Sequence, residues 1–231
     1  MLKITVPFLK PSGLDHAVHE LLRNYGVWRK EPPKPPIDVD EIVEGHLGLA
    51  LEVDDLRQRL GISDVLGATW FDESRICIDQ SLEDKEGRFA FTLAHEIAHW
   101  QLHRPIYELG KMTLPLFPSH VGGPPVAAVV CRAKERKAPA EWQADQFAAR
   151  LLMPATFVNA AVRAISGEST PAWDGIDERR KAGVLDTRLR SFADDVMLQG
   201  GFKNVSNEAM CYRLLDLKLV KDRSQAMMEL F

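Results

Sequence analysis

One pentapeptide constrains this chain more than anything else in it: His95-Glu96-Ile97-Ala98-His99, set within a run of good helix formers from Gly87 to Gln101. Phe89, Ala90, Leu93, Ala94 and Ile97 recur at three- and four-residue steps, the period of a helix packed on a core. On such a helix a four-residue step turns about 400° and climbs about 6 Å, so both imidazoles leave the same face and can share one ion. Two neutral imidazoles suit Zn²⁺. Glu96 stands about 100° around the helix, near enough to act on a water without being a ligand, and is the candidate catalytic base.

A zinc site that does chemistry takes three protein ligands and leaves one position open, so a third donor is required. His103 continues the four-residue step, but one further turn sets it about 12 Å along the axis from His95. Three side chains strung along one straight helix cannot all come within about 2 Å of one ion. His103 is therefore read as a satisfied histidine near the end of the helix. A second helical segment, Ala140 to Met153, opens after Pro139, closes at Pro154, and carries Glu141 and Asp145 one turn apart. One carboxylate can bind zinc while the other accepts the free N–H of a liganding imidazole. Glu141 is expected to be the ligand and Asp145 the imidazole's partner.

The rest of the chain supplies the frame. Leu14 to Tyr25 has helical apolar spacing, and Lys30 to Pro36 is a proline-rich connector. Asp38 caps a short helix, Leu49 to Val53 suits a strand, and Asp54 to Leu60 another turn or two of helix. Ala68 to Phe71 and Arg75 to Asp79 read as a hairpin about Asp72-Glu-Ser74, with Pro105 expected to stop the metal-bearing helix downstream. Val126 to Arg132 reads as a further strand; Thr187 to Leu198 and Asn207 to Leu217, capped by Ser206, read as helices. The expectation is an α+β fold: a small mixed sheet packed on the His95 helix and a second ligand-bearing helix, followed by a mainly helical C-terminal region. Its expected segments are 1–36, 37–165 and 166–231.

Several functions are disfavoured by composition. Twenty-nine Lys and Arg against 33 Asp and Glu give a net charge of -4, too balanced to hold polyanions by bulk charge. The uncharged stretch from Met112 to Cys131 contains four prolines and the pair Gly122-Gly123, which a spanning helix does not tolerate. The first ten residues do not read as a secretory signal, so the expected location is the cytoplasm, with no membrane association. Cys77, Cys131 and Cys211 are odd in number, far apart and outside any paired spacing; they are read as small buried hydrophobes.

Phe91-Thr-Leu-Ala-His-Glu-Ile-Ala-His-Trp-Gln-Leu-His103, followed by Glu141-Trp-Gln-Ala-Asp-Gln-Phe-Ala-Ala-Arg-Leu-Leu-Met-Pro154, closely resembles the ImmA/IrrE family of zinc metallopeptidases. Pro36 to Val43, Leu47 to Leu49 and Arg75 to Asp79 look like further family segments, so the resemblance covers roughly residues 32 to 154. It implies a zincin-like core with a gluzincin-like site, His95, His99 and Glu141 on a single Zn²⁺ per chain and Glu96 as base. It also implies an endopeptidase whose protein substrate is a bacterial helix-turn-helix repressor, so that cleavage relieves transcription in stress responses or mobile elements. The interval between the two blocks is long here.

The Arg75 to Asp79 strand, were it at the sheet edge, could pair with an extended substrate. The competing class is a DNA-binding or partner-binding regulator of toxin-antitoxin or phage type, with structural zinc. Residues 176–231 hold ten Lys and Arg against nine Asp and Glu, a weak footprint for DNA, so direct DNA binding is not favoured.

Overall fold

The computed structural model describes residues 6–113, 129–132 and 138–223. It is α+β, and the described chain divides into two compact units, residues 1–33 with 38–151 and residues 34–37 with 152–231.

The first unit opens with α1 (Pro11–Arg29), which starts on a proline and buries Leu14, Val18, Leu21, Leu22 and Tyr25 along one stripe. Asp38 then caps α2 (Val39–Glu41) by accepting from the Glu41 amide, and a π-helical turn, Ile42–His46, leads into β1 (Ala50–Asp54). After α3 (Leu56–Leu60) come β2 (Val65–Trp70) and β3 (Arg75–Asp79), the expected hairpin, with Ser74 in the left-handed region at φ 50°. β4 (Val129–Arg132) completes a sheet of order β1-β3-β2-β4. β1 runs parallel to β3, and the other two pairings are antiparallel.

That order corrects one expectation. Arg75–Asp79 is an interior strand, flanked by β1 and β2, with every residue buried. The edge next to β2 belongs to β4. A parallel partner needs a crossover, and the α3 connection between β1 and the hairpin provides one, which draws β3 inward.

α3 covers one face of the sheet with Leu56, which packs among Val65, Ala68, Trp70 and Cys77. α4 (Glu86–Ala98) lies against β2 and β3 on the other. Between Val65 and Gly67 the β2–β4 register slips by a bulge. Bulges re-aim the side chains that follow them. Here the slip keeps Val65 and Ala68 in the α3 cluster while Gly67 and Thr69 turn to α4.

The helix does not stop at Pro105. It passes through a π turn, His99–His103, and resumes as α5 (Arg104–Thr113). In the π turn the Arg104 amide bonds to the His99 carbonyl, five residues back, so Pro105 falls at the second position of a new α-segment, where a missing N–H costs little. α6 (Pro139–Leu152) then buries Ala144, Phe147, Ala148, Leu151 and Leu152 as the spacing predicts.

The second unit is mainly helical: α7 (Ala155–Ser166), α8 (Ile176–Lys181), α9 (Thr187–Gly200) and α10 (Asn207–Asp216), with a short parallel pair, β5 (Ala172–Trp173) and β6 (Lys221–Asp222). Ser206 caps α10 as expected, accepting from the Ala209 amide. The cation on α10, Arg213, is buried and donates from Nε to the Met153 carbonyl at 3.0 Å, so it presents no charge to a DNA backbone. No described helix is long and apolar enough to cross a membrane. The expected strand residues 126–128, and the proline-rich stretch from 114 to 125, lie outside the described residues.

Candidate metal centre

Along α4 the burial changes character. Its N-terminal half has exposed positions, but Thr92 to Ala98 are all buried, because the sheet covers one side and α6 meets the other. Placing three ionisable groups, His95, Glu96 and His99, in such a segment is expensive unless each is partnered. The partners come from α6, β2 and the π turn.

His95 Nε2 and His99 Nε2 stand 3.0 Å apart. Glu141 brings one carboxylate oxygen to 3.1 Å from His95 Nε2 and the other to 3.3 Å from His99 Nε2. Donors at about 2.0–2.1 Å from a tetrahedral zinc are about 3.3 Å from one another, so the three residues are spaced as one face of such a site requires. Asp145, one turn further along α6, places Oδ1 3.0 Å from His95 Nδ1, on the far side of that ring. The two carboxylates thus lie on opposite ring nitrogens of His95.

The charges fit a cation as well. Burial, helped by repulsion from His95 and His103, pushes the His99 imidazole down, to about 4. Burial also works against a charged His95, yet Cys131, Asp145 and Glu141 around it outweigh that and raise its value well above normal. Burial would raise the Glu141 carboxyl, but His95, which donates to it, holds it below the usual carboxylate range. The carboxylates around His95 thus favour positive charge at this point, and a divalent ion coordinated by the same atoms would supply it.

Glu96 is fully buried on the β2 side of the helix. Its Oε2 accepts from Thr69 Oγ1 at 2.6 Å, while Oε1 has no hydrogen-bond partner among the described residues. Burial pushes its carboxyl up to about 7, against the lowering effects of His95 and the Thr69 hydroxyl. The room for this side chain comes from Gly67, where an added Cβ would meet Glu96 Oε1 at 2.7 Å. A half-satisfied buried carboxylate with a value near neutrality is what a general base needs.

His103 lies on the other side of His99. Its Nδ1 is 2.8 Å from His99 Nδ1 and its Nε2 3.1 Å from Gln143 Oε1, so both ring nitrogens are engaged away from Glu141. The expectation that it is a satisfied histidine agrees with these contacts. Tyr107, on α5, gives its hydroxyl to Asp72 at 2.9 Å.

Four neighbours of the site escaped the sequence reading. Thr69 and Gly67 carry no signal, because the bulge that turns them to α4 is a tertiary feature. Gln143 sits between the two carboxylates that drew attention. Cys131, read as a buried hydrophobe, pairs across from Gly67 and therefore faces α4; a His95 ring nitrogen, its sulfur and a Glu141 oxygen all fall within 4.8 Å of one another. Alternation along an edge strand would have revealed its side only with the register known.

Residues 50–168 match the family model Peptidase_M78, IrrE N-terminal-like domain. No curated protein shows significant similarity to the chain.

Proposed function

Since the chain belongs to this peptidase family, we propose that it is a cytoplasmic zinc-dependent endopeptidase with a zincin-like core, and that its substrate is a regulatory protein, specifically a helix-turn-helix repressor whose cleavage relieves transcriptional repression. The observation that carries the reading is the joint geometry of two imidazole nitrogens and a carboxylate 3.0–3.3 Å apart beside a buried carboxylate oxygen that lacks a partner among the described residues.

In this reading His95, His99 and Glu141 hold one Zn²⁺, and Asp145 orients His95 through its Nδ1–H. Bound zinc supplies Lewis acidity, polarising the scissile carbonyl and acidifying water. Glu96 Oε1 takes the proton from the attacking water while Thr69 fixes Oε2, and the same oxygen returns the proton to the departing amine. No covalent bond forms between enzyme and substrate. Among the described residues the outer edge of β4 is unpaired, and its N–H and C=O groups suit an extended peptide laid along the sheet beside α4.

The test is incubation of the purified chain with the helix-turn-helix repressors encoded beside it, with and without a chelator, alongside Glu96→Gln. Discrete fragments that require metal and vanish in the variant are the expected result. Intact repressors under all conditions would remove the substrate assignment.

Cys131 favours one second reading, a non-catalytic regulator with structural zinc. A thiolate within reach of His95 and Glu141 could fill the fourth position and close the site. Cys131→Ala separates the two. It leaves zinc content and proteolysis intact if the position is open, and lowers zinc affinity if sulfur is a ligand.

A further inference from the structure

The contacts around His99 have a direction as well as a length. Gln143 Nε2 lies 2.7 Å from the backbone carbonyl of Pro7, and a carbonyl oxygen can only accept, so this amide nitrogen donates there and Gln143 Oε1 is the atom that faces His103. Oε1 has no proton to give. The His103 Nε2 atom 3.1 Å away must therefore carry one. His103 is fully buried and both of its hydrogen-bond partners are neutral, so a second proton on its ring would be a buried charge with no counterion in contact among the described residues. Its Nδ1 is left with a lone pair. Across 2.8 Å from that lone pair is His99 Nδ1, which must then be the N–H, and His99 Nε2 is bare.

We propose that His103, Gln143 and the Pro7 carbonyl form a one-way hydrogen-bond chain that holds His99 in the Nδ1–H tautomer and so keeps its Nε2 lone pair turned toward the metal position. His103 and Gln143 are positioning residues; neither touches the metal or substrate. The arrangement differs from that at His95, where a carboxylate, Asp145, does the orienting. A neutral chain fixes the ring without adding a second negative charge to a pocket that already holds Glu141 and Asp145. It also explains why three histidines at four-residue steps can serve two ligand positions: the third directs a proton. The segment ahead of α1 becomes part of the site through one carbonyl.

The proposal rests on His99 being a zinc ligand, so its test reads the tautomer and the metal separately. Ring ¹⁵N–¹H spectra of the full-length, zinc-free chain report which nitrogen of His99 holds the proton, and competition against a chromogenic chelator reports zinc affinity. The expected wild-type result is Nδ1–H before zinc is added. Gln143→Leu and His103→Leu remove the direction; His99 then shifts toward Nε2–H, and zinc binding weakens by about 10- to 100-fold, the usual cost of losing such a partner.

His103→Asn keeps an amide oxygen at the Nδ1 position as an acceptor for His99, although its N–H falls short of Gln143, and recovers the tautomer and part of the affinity. A purely packing role gives the opposite order, because leucine fills the imidazole's space better than asparagine does. Should His103→Leu fail to fold, Gln143→Leu against His103→Asn still decides. Wild-type His99 in the Nε2–H form, or Gln143→Leu with tautomer and affinity both unchanged, overturns the proposal. A wild-type chain with the Nδ1–H tautomer but no stoichiometric zinc would instead overturn the metal reading.

Discussion

Gly67→Ala adds a single methyl group, yet the structure gives it three immediate collisions. The new Cβ would stand 2.7 Å from Glu96 Oε1, 2.9 Å from Thr92 Cγ2 and 3.1 Å from Glu96 Cγ. Ordinary contact needs the carboxylate to retreat by about 0.5 Å or more, and Thr92 by somewhat more. Neither has an easy exit, because Thr92 and Glu96 are both buried and Glu96 is tied to Thr69 at 2.6 Å. Overpacking of this kind costs about 1–3 kcal/mol, which lowers Tm by several degrees in a unit of this size.

A general base displaced by a large fraction of an ångström from its proton loses about 10- to 100-fold in rate. Zinc affinity should hold, since His95, His99 and Glu141 are not among the contacts. The assay is therefore threefold: melting temperature, chelator competition, and the rate of metal-dependent cleavage. Gly13→Ala is the control, as none of the described residues lies within 4 Å of that Cβ and a helical Gly→Ala exchange should stabilise by about 0.5–1 kcal/mol. A Gly67→Ala chain that melts and cleaves like wild type would show that Gly67 does not shape the Glu96 pocket.

Thr69→Val deletes the hydroxyl that lowers the Glu96 value; the carboxyl rises further, and the acid limb of kcat/KM should move to higher pH, with an unmoved limb counting against Glu96 as base. Glu96→Gln should stabilise the zinc-free chain, because a carboxyl raised from 4.5 to about 7 by burial makes folding less favourable as pH climbs through that interval; denaturation at pH 8 should show a gain on the order of 2–3 kcal/mol that shrinks towards pH 4. Asp186 caps α9 and pairs with Arg188 and Arg179, which hold it down at about 2. Its contribution is therefore present above about pH 4 and lost as pH falls through 2; Asp186→Asn should cost about 1–2 kcal/mol at pH 7, allowing for half-exposed arginines, and almost nothing at pH 2 in thermal melts.

The amino-acid sequence by itself determined which residues can meet and along which helices. A four-residue step on a helix is a statement about one face, so the pairing of His95 with His99 and of Glu141 with Asp145 was legible before any fold was known, as were the hairpin, the caps at Asp38 and Ser206, and the core stripes of α1 and α6. Local spacing could not decide which strand is the edge, because strand order depends on a crossover and on pairing between segments far apart in the chain; Arg75–Asp79 went inside and β4 outside. Nor could it foresee the π turn that carries the helix past Pro105, or the bulge that turns Gly67 and Thr69 onto Glu96. The direction of the His99–His103–Gln143 contacts is tertiary in the strictest sense: it is set by one carbonyl, Pro7, 136 residues from the amide it receives. A hydrogen-bond chain takes its sense from whichever end cannot be reversed, and that end is found only when distant backbone is brought alongside.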